Sequence, residues 1–357
     1  MHALAPELES ILARQGRCRL PPLSFSATAF LALELSARLA RPVVLVADSL
    51  HSLDELRRNL LALAQERPGA VLYYPAWEMI PGPRAPAAPE TAGARLDTLL
   101  RLPGFAAPGV IATCVQALMQ PALAPAALRD WTLRLRPQME RDPDALAGRL
   151  EQAGYRLEPD VQAPGQAARR GGLLDLWPPT LERPVRIEFF GDQIESLRSF
   201  DPATQRSVAP LDDLLVPPAD EARLMREQPG ARGYFLDHGP PDPLLFWAEP
   251  VIGDGLADIR QPTGILHHAR LYEQAAAGSG WIFSFAQAAQ RAEECPRAWH
   301  CYPDRDPEPP ADPAAAWPPE APRLDPGFRS MTALAAPARG LLAPDVFAEQ
   351  RRQWIES

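Results

Sequence analysis

Apolar residues in the first third of the chain switch between two periods. Ser24 to Leu39 carries them on a helical repeat that stops before Pro42. Val43 to Ala47 is a continuous valine-rich run, the pattern of a strand buried on both faces. Asp48 or Ser49 can cap a helix over Leu53 to Gln65, and Gly69 closes that unit. Ala70 to Tyr74 predicts the next strand, Glu90 to Leu102 another helix, and Val110 to Cys114 a third strand. Such alternation implies a parallel sheet with right-handed crossovers.

The middle of the chain has a different rhythm. Trp131 to Arg136 predicts a strand and Asp144 to Ala153 a helix. Arg169 and Arg170 then precede a Gly171-Gly172 pair. Leu173 to Trp177 is a short apolar run with one acid, Asp175, stopped by Pro178-Pro179. Val185, Ile187 and Phe189 alternate with Arg186 and Glu188, the two-residue period of a half-buried strand. Gly191-Asp192 predicts a turn and Gln193 to Phe200 the returning strand. The result is a small antiparallel sheet with arginines on its exposed face and edges. It suits docking onto an acidic protein surface, and it has no His, Cys or Lys to act as nucleophile or base. Farther on, Tyr234 to Leu236, Leu244 to Trp247 and Trp281 to Phe285 read as strands, and Ala286 to Glu294 as a helix. Pro303 to Pro326 is dense in Pro, Ala and Asp and reads as a loop. Asp345 to Glu356 begins an amphipathic helix that reaches Ser357 without a C-cap glycine, as expected of a piece of a longer chain or of a standalone truncated protein.

Composition narrows the chemistry. The 357 residues can hold two or three domains, and 46% hydrophobic content supports a core. With 45 acids against 36 bases the net charge is -9, so a general affinity for nucleic acid is not indicated. Every basic residue is arginine; without lysine there is no Walker A lysine, Schiff-base lysine or lysine general base. Cys18, Cys114, Cys295 and Cys301 form no disulfide framework. Cys295, His300 and Cys301 lack a fourth ligand at zinc spacing and read as loop residues, so no metal and no cofactor is expected. His267-His268 reads as surface, and Asp237-His238 has no G-x-S-x-G nucleophile to serve. No apolar run approaches the roughly 20 residues of a membrane span, so a cytoplasmic chain without a membrane partner is expected.

Two separated blocks carry a family resemblance. Arg170 to Pro179 (RGGLLDLWPP) and Arg186 to Asp201 (RIEFFGDQIESLRSFD) are similar to R-G-G-x-L-D-x-F-P and R-x-E-F-F-x-D-x-I-x-S-x-R-x-F-D. Tyr74 to Pro81 (YPAWEMIP), then Ala94-Arg95-Leu96 and Leu99, are similar to F-P-x-W-E-x-L-P and R-L-x-x-L. These patterns belong to the N-terminal, UvrB-like module of bacterial transcription-repair coupling factors.

The resemblance implies an α/β fold: a degenerate RecA/helicase-like parallel-sheet domain, an inserted small α+β domain like UvrB domain 2, and a further α/β subdomain. The expected boundaries are 1–120 for helicase-like domain 1A, 121–218 for a UvrA-binding domain 2, and 219–340 for domain 1B with a Pro-rich loop near 303–326. Residues 341–357 would start a following segment. At the P-loop position the chain reads Arg19 to Thr28 (RLPPLSFSAT), with no glycine or lysine to cradle phosphate. Between Pro75 and Pro89 there is no room for the long damage-probing hairpin of UvrB.

By the same resemblance Arg170 and Arg156 contact UvrA, and Arg169 is an additional arginine. Trp177 stands where the family has Phe, either as an anchor or as core. Trp77 and Glu78 read as structural. RNA polymerase and DNA would be engaged only through domains absent from this chain. The implied function is a non-catalytic adaptor that recruits UvrA in transcription-coupled nucleotide excision repair. The alternatives are an ATP-dependent helicase or translocase-related subunit, or a decayed scaffold that binds no partner.

Overall fold

The computed structural model describes residues 12–13, 16–20, 23–65, 67, 69–79, 88–240, 242–250, 264–295, 297–303, 317–319 and 321–322. The helix expected over 345–356 and most of the expected 303–326 loop lie outside the described residues. In chain order the first strands are β1 (Arg17–Leu20), β2 (Val43–Ala47), β3 (Val71–Tyr74), β4 (Val110–Cys114) and β5 (Ala122–Leu123). β6 (Leu133–Leu135), β7 (Arg156–Leu157), β8 (Gln166–Arg170), β9 (Leu173–Leu176), β10 (Val185–Phe190) and β11 (Gln193–Phe200) follow. The last are β12 (Ser207–Pro210), β13 (Leu214–Val216), β14 (Arg232–Gly233), β15 (Leu244–Ala248) and β16 (Trp299–Pro303).

The chain divides into two compact units, the first formed by 1–76, 101–120 and 239–357. Its sheet has the order β1-β16-β15-β2-β4-β3, and every neighbouring pair is parallel. β2 and β4 are buried at all five positions, which is why their sequences are largely apolar runs. Ser24 caps the helix Phe25–Leu39 by accepting from Ala27 N, and Ser49 caps Leu50–Leu63 by accepting from Ser52 N.

Two expectations change here. β1 and β16, unassigned from sequence, pair with each other and bring Cys18 level with Cys301. Both thiols are free and buried, with sulfurs 3.4 Å apart. Cys301 and His300 therefore sit on a strand, not a loop, and the pleat sends them to opposite faces. The strand expected over Trp281 to Phe285 gives way to a capping box, in which Ser284 and Gln287 open the helix Phe285–Glu293. His267 and His268 lie on the helix Ile265–Ala275, with His268 Nδ1 3.0 Å from Gly264 O.

The second unit comprises 77–100 and 121–238. Its main sheet runs β12-β11-β10-β9-β8-β7, antiparallel except for the β7–β8 pair. Apolar residues of one sheet face, among them Leu174, Leu176, Val185, Ile187 and Leu197, form a core with Leu146 and Leu150 of the helix Pro143–Gln152. Two ribbons, β6–β13 and β5–β14, complete the unit. Trp131 ends the helix Pro125–Trp131, whose proline sits in the first turn, so the expected strand shrinks to Leu133–Leu135. The strand expected at Tyr234 is a 3-10 turn, Phe235–His238.

The motif residues Trp77 and Arg95 meet Glu221 inside this unit. Arg95 is 0% exposed; its Nε donates to Glu221 Oε1 at 2.7 Å and its Nη2 to Pro121 O at 2.8 Å. Its guanidinium lies 4.1 Å over the Trp77 ring, and Trp77 Nε1 donates to the same Glu221 oxygen at 3.1 Å. Among the described residues Glu221 Oε2 has no hydrogen-bond partner. Burial therefore pushes the Glu221 carboxyl above the usual carboxylate range, even though Arg95 and Trp77 favour the charged form.

Two outcomes are expected. Arg95→Met strands a buried carboxylate and costs about 3–5 kcal/mol in denaturant unfolding. Because Glu221 binds its proton more tightly when folded, its contribution is greatest at low pH. That contribution is lost as pH rises through a window opening at about 4.5, the ordinary glutamate value. Unfolding measured across that window should show a wild-type decline that Glu221→Gln flattens.

Candidate protein-docking face

The pleat of β8 separates two adjacent arginines. Arg169 shares its face with Ala167, which packs into the core, and its Nε lies 3.4 Å from Asp144 Oδ1 on the helix Pro143–Gln152. Arg170 shares the opposite face with Ala168, which pairs with Asp175 of β9. Asp175 in turn pairs with Arg186 of β10, and Arg186 with Arg198 of β11. On β7, Arg156 is level with Gln166, which puts Arg156 on the Arg170 face. Trp177, two residues beyond Asp175, packs with Val161, Ala168 and Phe200 on that face too. Arg156, Arg170 and Trp177 are thus brought to one side, and Arg169 is not.

Asp175 organises the face. It is 1% exposed and accepts a fork from Arg186, whose Nε and Nη2 reach its two oxygens at 2.8 Å each. Arg170 Nη2 donates to Oδ2 at 3.0 Å, and Arg170 Nη1 donates to Asp160 Oδ1 at 2.8 Å. The Asp175 hydrogen bonds raise the pKa of Arg186, whose guanidinium also lies 4.7 Å over the Phe200 ring. Trp177 is half-buried, and its Nε1 donates to Leu181 O at 2.9 Å. Arg156 is exposed on its two-residue edge strand.

One residue of this region escaped the sequence reading. Phe190 is 78% exposed at the end of β10. The ladder pairs Glu188 with Ser196 but Phe189 with Ile194, so the extra residue of the bulge is Glu195 on β11, and the alternation along β10 runs on to put Phe190 on the face of Arg186 and Glu188. The signal available was an aromatic placed directly before the Gly191-Asp192 turn. Phe189 N donates to Gly172 O at 2.8 Å, so the Gly171-Gly172 and Gly191-Asp192 turns lie at the same end of the sheet. Gly171 and Gly191 have φ of 54° and 60°, the left-handed region that such two-residue turns require. Phe190 and Arg170 therefore border neighbouring turns. The face is charged and aromatic, with the parts of a docking surface.

The family model for the UvrB interaction domain matches residues 133–221, the span that holds this whole face. The chain is similar to the UvrB-like module of transcription-repair-coupling factors. It is 33% identical over 218 residues to the transcription-repair-coupling factor of Bacillus subtilis (strain 168), covering 61% of this chain and 18% of the relative. Against that of Mycobacterium tuberculosis (strain CDC 1551 / Oshkosh) it is 32% identical over 290 residues, or 76% and 23%. Against that of Escherichia coli (strain K12) it is 33% identical over 199 residues, or 56% and 17%. The chain thus spans between 17% and 23% of the length of these curated relatives.

Among the described residues no group of three or more His, Cys, Asp or Glu is placed to hold a metal ion. No described helix is long and apolar enough to cross a membrane.

Stability should distinguish what is displayed from what holds it. Phe190→Ala is expected to change the unfolding free energy by less than about 0.5 kcal/mol. Arg186→Ala removes the fork from a buried carboxylate and should cost about 2–3 kcal/mol in the same denaturant experiment.

Proposed function

We propose that this chain is a non-catalytic adaptor in transcription-coupled nucleotide excision repair, recruiting UvrA through the arginine-bearing face of the second unit's sheet. The observation that carries the reading is Arg170, half-exposed and fixed by a buried acid, within the span that matches the UvrB interaction domain. Arg156 on the same face and Phe190 at the adjoining turn supply a second charge and an aromatic anchor, residue types in which interface hot spots are rich. Trp177 braces that face from its half-buried position. The partner surface is acidic, so that guanidinium forks meet carboxylates. The first unit is a degenerate RecA-like domain that bears no nucleotide site. Its Ser24 hydroxyl occupies the N-terminus of the helix Phe25–Leu39, and the preceding Arg19 to Leu23 segment lacks glycine and lysine. The setting is the cytoplasm, and contacts with RNA polymerase and DNA belong to parts of the relatives outside this chain.

Calorimetric titration with purified UvrA tests the site. Arg170→Ala and Phe190→Ala are each expected to weaken binding at least about tenfold, roughly 1.4 kcal/mol, with both variants still folded. Equal affinity for wild type and the Arg156→Ala/Arg170→Ala double variant would discard this surface. Binding of ATP by the same preparation would favour a helicase-related subunit instead.

A further inference from the structure

Arg170 is held by two carboxylates in very different settings. Asp175 is buried beneath the face, and both of its oxygens are occupied, by the Arg186 fork and by Arg170 Nη2. Asp160 lies between β7 and β8, its side chain 52% exposed, and touches Arg170 through Nη1 alone. Exchanging the first contact removes a charge-assisted hydrogen bond from a buried carboxylate, which would then keep only the Arg186 fork. The second is of the weak, solvent-screened class.

We propose that these two acids act in opposite directions on partner binding. Asp175 is a positioning residue that presents Arg170. Asp160 is a stand-in for the partner's own carboxylate, displaced when that carboxylate arrives. The inference rests on the reading that Arg170 docks on an acidic partner, and it adds an internal competitor to that reading. The geometry gives the order of events. Asp175 holds Nη2 from beneath, so the guanidinium stays in place while Nη1 changes partner at the surface. Until it leaves, Asp160 also sets a like charge beside the incoming acid, which disfavours approach.

The two roles predict effects of opposite sign. Asp160→Asn removes the like charge and leaves Nη1 only a weaker, neutral acceptor, and should tighten UvrA binding about two- to five-fold, the range set by exposed ion pairs. Asp175→Asn lets Arg170 wander and should weaken binding about tenfold. Because Asp175 acts through Arg170, its loss should add less than about twofold in an Arg170→Ala background. Calorimetric titration of the whole chain with UvrA reads wild type, the three single variants and the Arg170→Ala/Asp175→Asn double variant.

Unchanged or weakened binding by Asp160→Asn, where Arg170→Ala has weakened it, overturns the stand-in. Additive losses for Arg170 and Asp175 reduce Asp175 to a structural residue. If Asp175→Asn does not fold, the Asp160 arm decides alone, since that side chain is exposed and its variant should melt as the wild type does. If Arg170→Ala leaves affinity unchanged, the docking site itself fails and this inference falls with it.

Discussion

Asp175 is one carboxylate in the middle of a sheet, and the chemistry of the second unit is arranged around it. It sits on β9, level with Ala168 on one side and Arg186 on the other. A buried acid needs compensation, and two arginines supply it. The compensation does more than neutralise. An Arg186 fork fixes the carboxylate in the plane it needs, and the carboxylate then fixes one end of Arg170 while the rest of that guanidinium remains in solvent. A lysine could not do this, since a point charge on a flexible stem has no fork to lock. The opposite sheet face has no such demand and is filled with Leu, Ile and Val against a helix. The two-residue period of the strands keeps these two environments apart without any other device.

The same period explains how far the site could be read from sequence. Alternation through Val185 to Phe189 gave the strand, and the glycines gave both turns, because each signal is local. That Arg169 and Arg170 must point to opposite faces was also implicit in the pleat. It needed only the observation that Ala167 belongs to the core. Phe190 was implicit in the same alternation, which puts it on the face of Arg186 and Glu188; what leaves no mark in a single sequence is the bulge at Glu195 on the neighbouring strand. In the first unit, β2 and β4 were legible as short, largely apolar runs rich in Val and Ile. β1 and β16 were not. Their pairing joins residues 283 apart in sequence, and Trp-His-Cys-Tyr-Pro mixes polar and apolar types without a period. The capping box at Ser284 overrode an aromatic-rich stretch that read as a strand, since a satisfied helix start outweighs weak strand propensity.

Trp77, Arg95 and Glu221 show the cost of a second kind of specificity. Three residues far apart in the sequence meet through a buried charge pair with one carboxylate oxygen left unpartnered among the described residues. Apolar residues of similar volume would often be as stable or more so. A charge pair does what they cannot, because it rejects any packing in which the carboxylate misses the guanidinium. The two sequence blocks that carry the family resemblance are then related by construction. The first contributes Trp77 and Arg95 to the interior of the unit, and the second forms its exposed sheet.

An arginine that is already bonded is a better docking group than a free one, for reasons of both entropy and donor count. A free guanidinium loses rotamer freedom when it binds, a cost of about 0.5–1.5 kcal/mol for such a side chain. Arg170 has lost much of that freedom already through Asp175. The guanidinium also carries five N–H donors, and the hydrogen bonds to Asp160 and Asp175 run through Nη1 and Nη2. Donors therefore remain for a partner even before Asp160 yields. Pre-organisation and residual capacity are in conflict for most side chains, since holding a group uses up the atoms that would bind. Arginine escapes the conflict because its fork has two ends, and a buried acid at one end leaves the other to the surface.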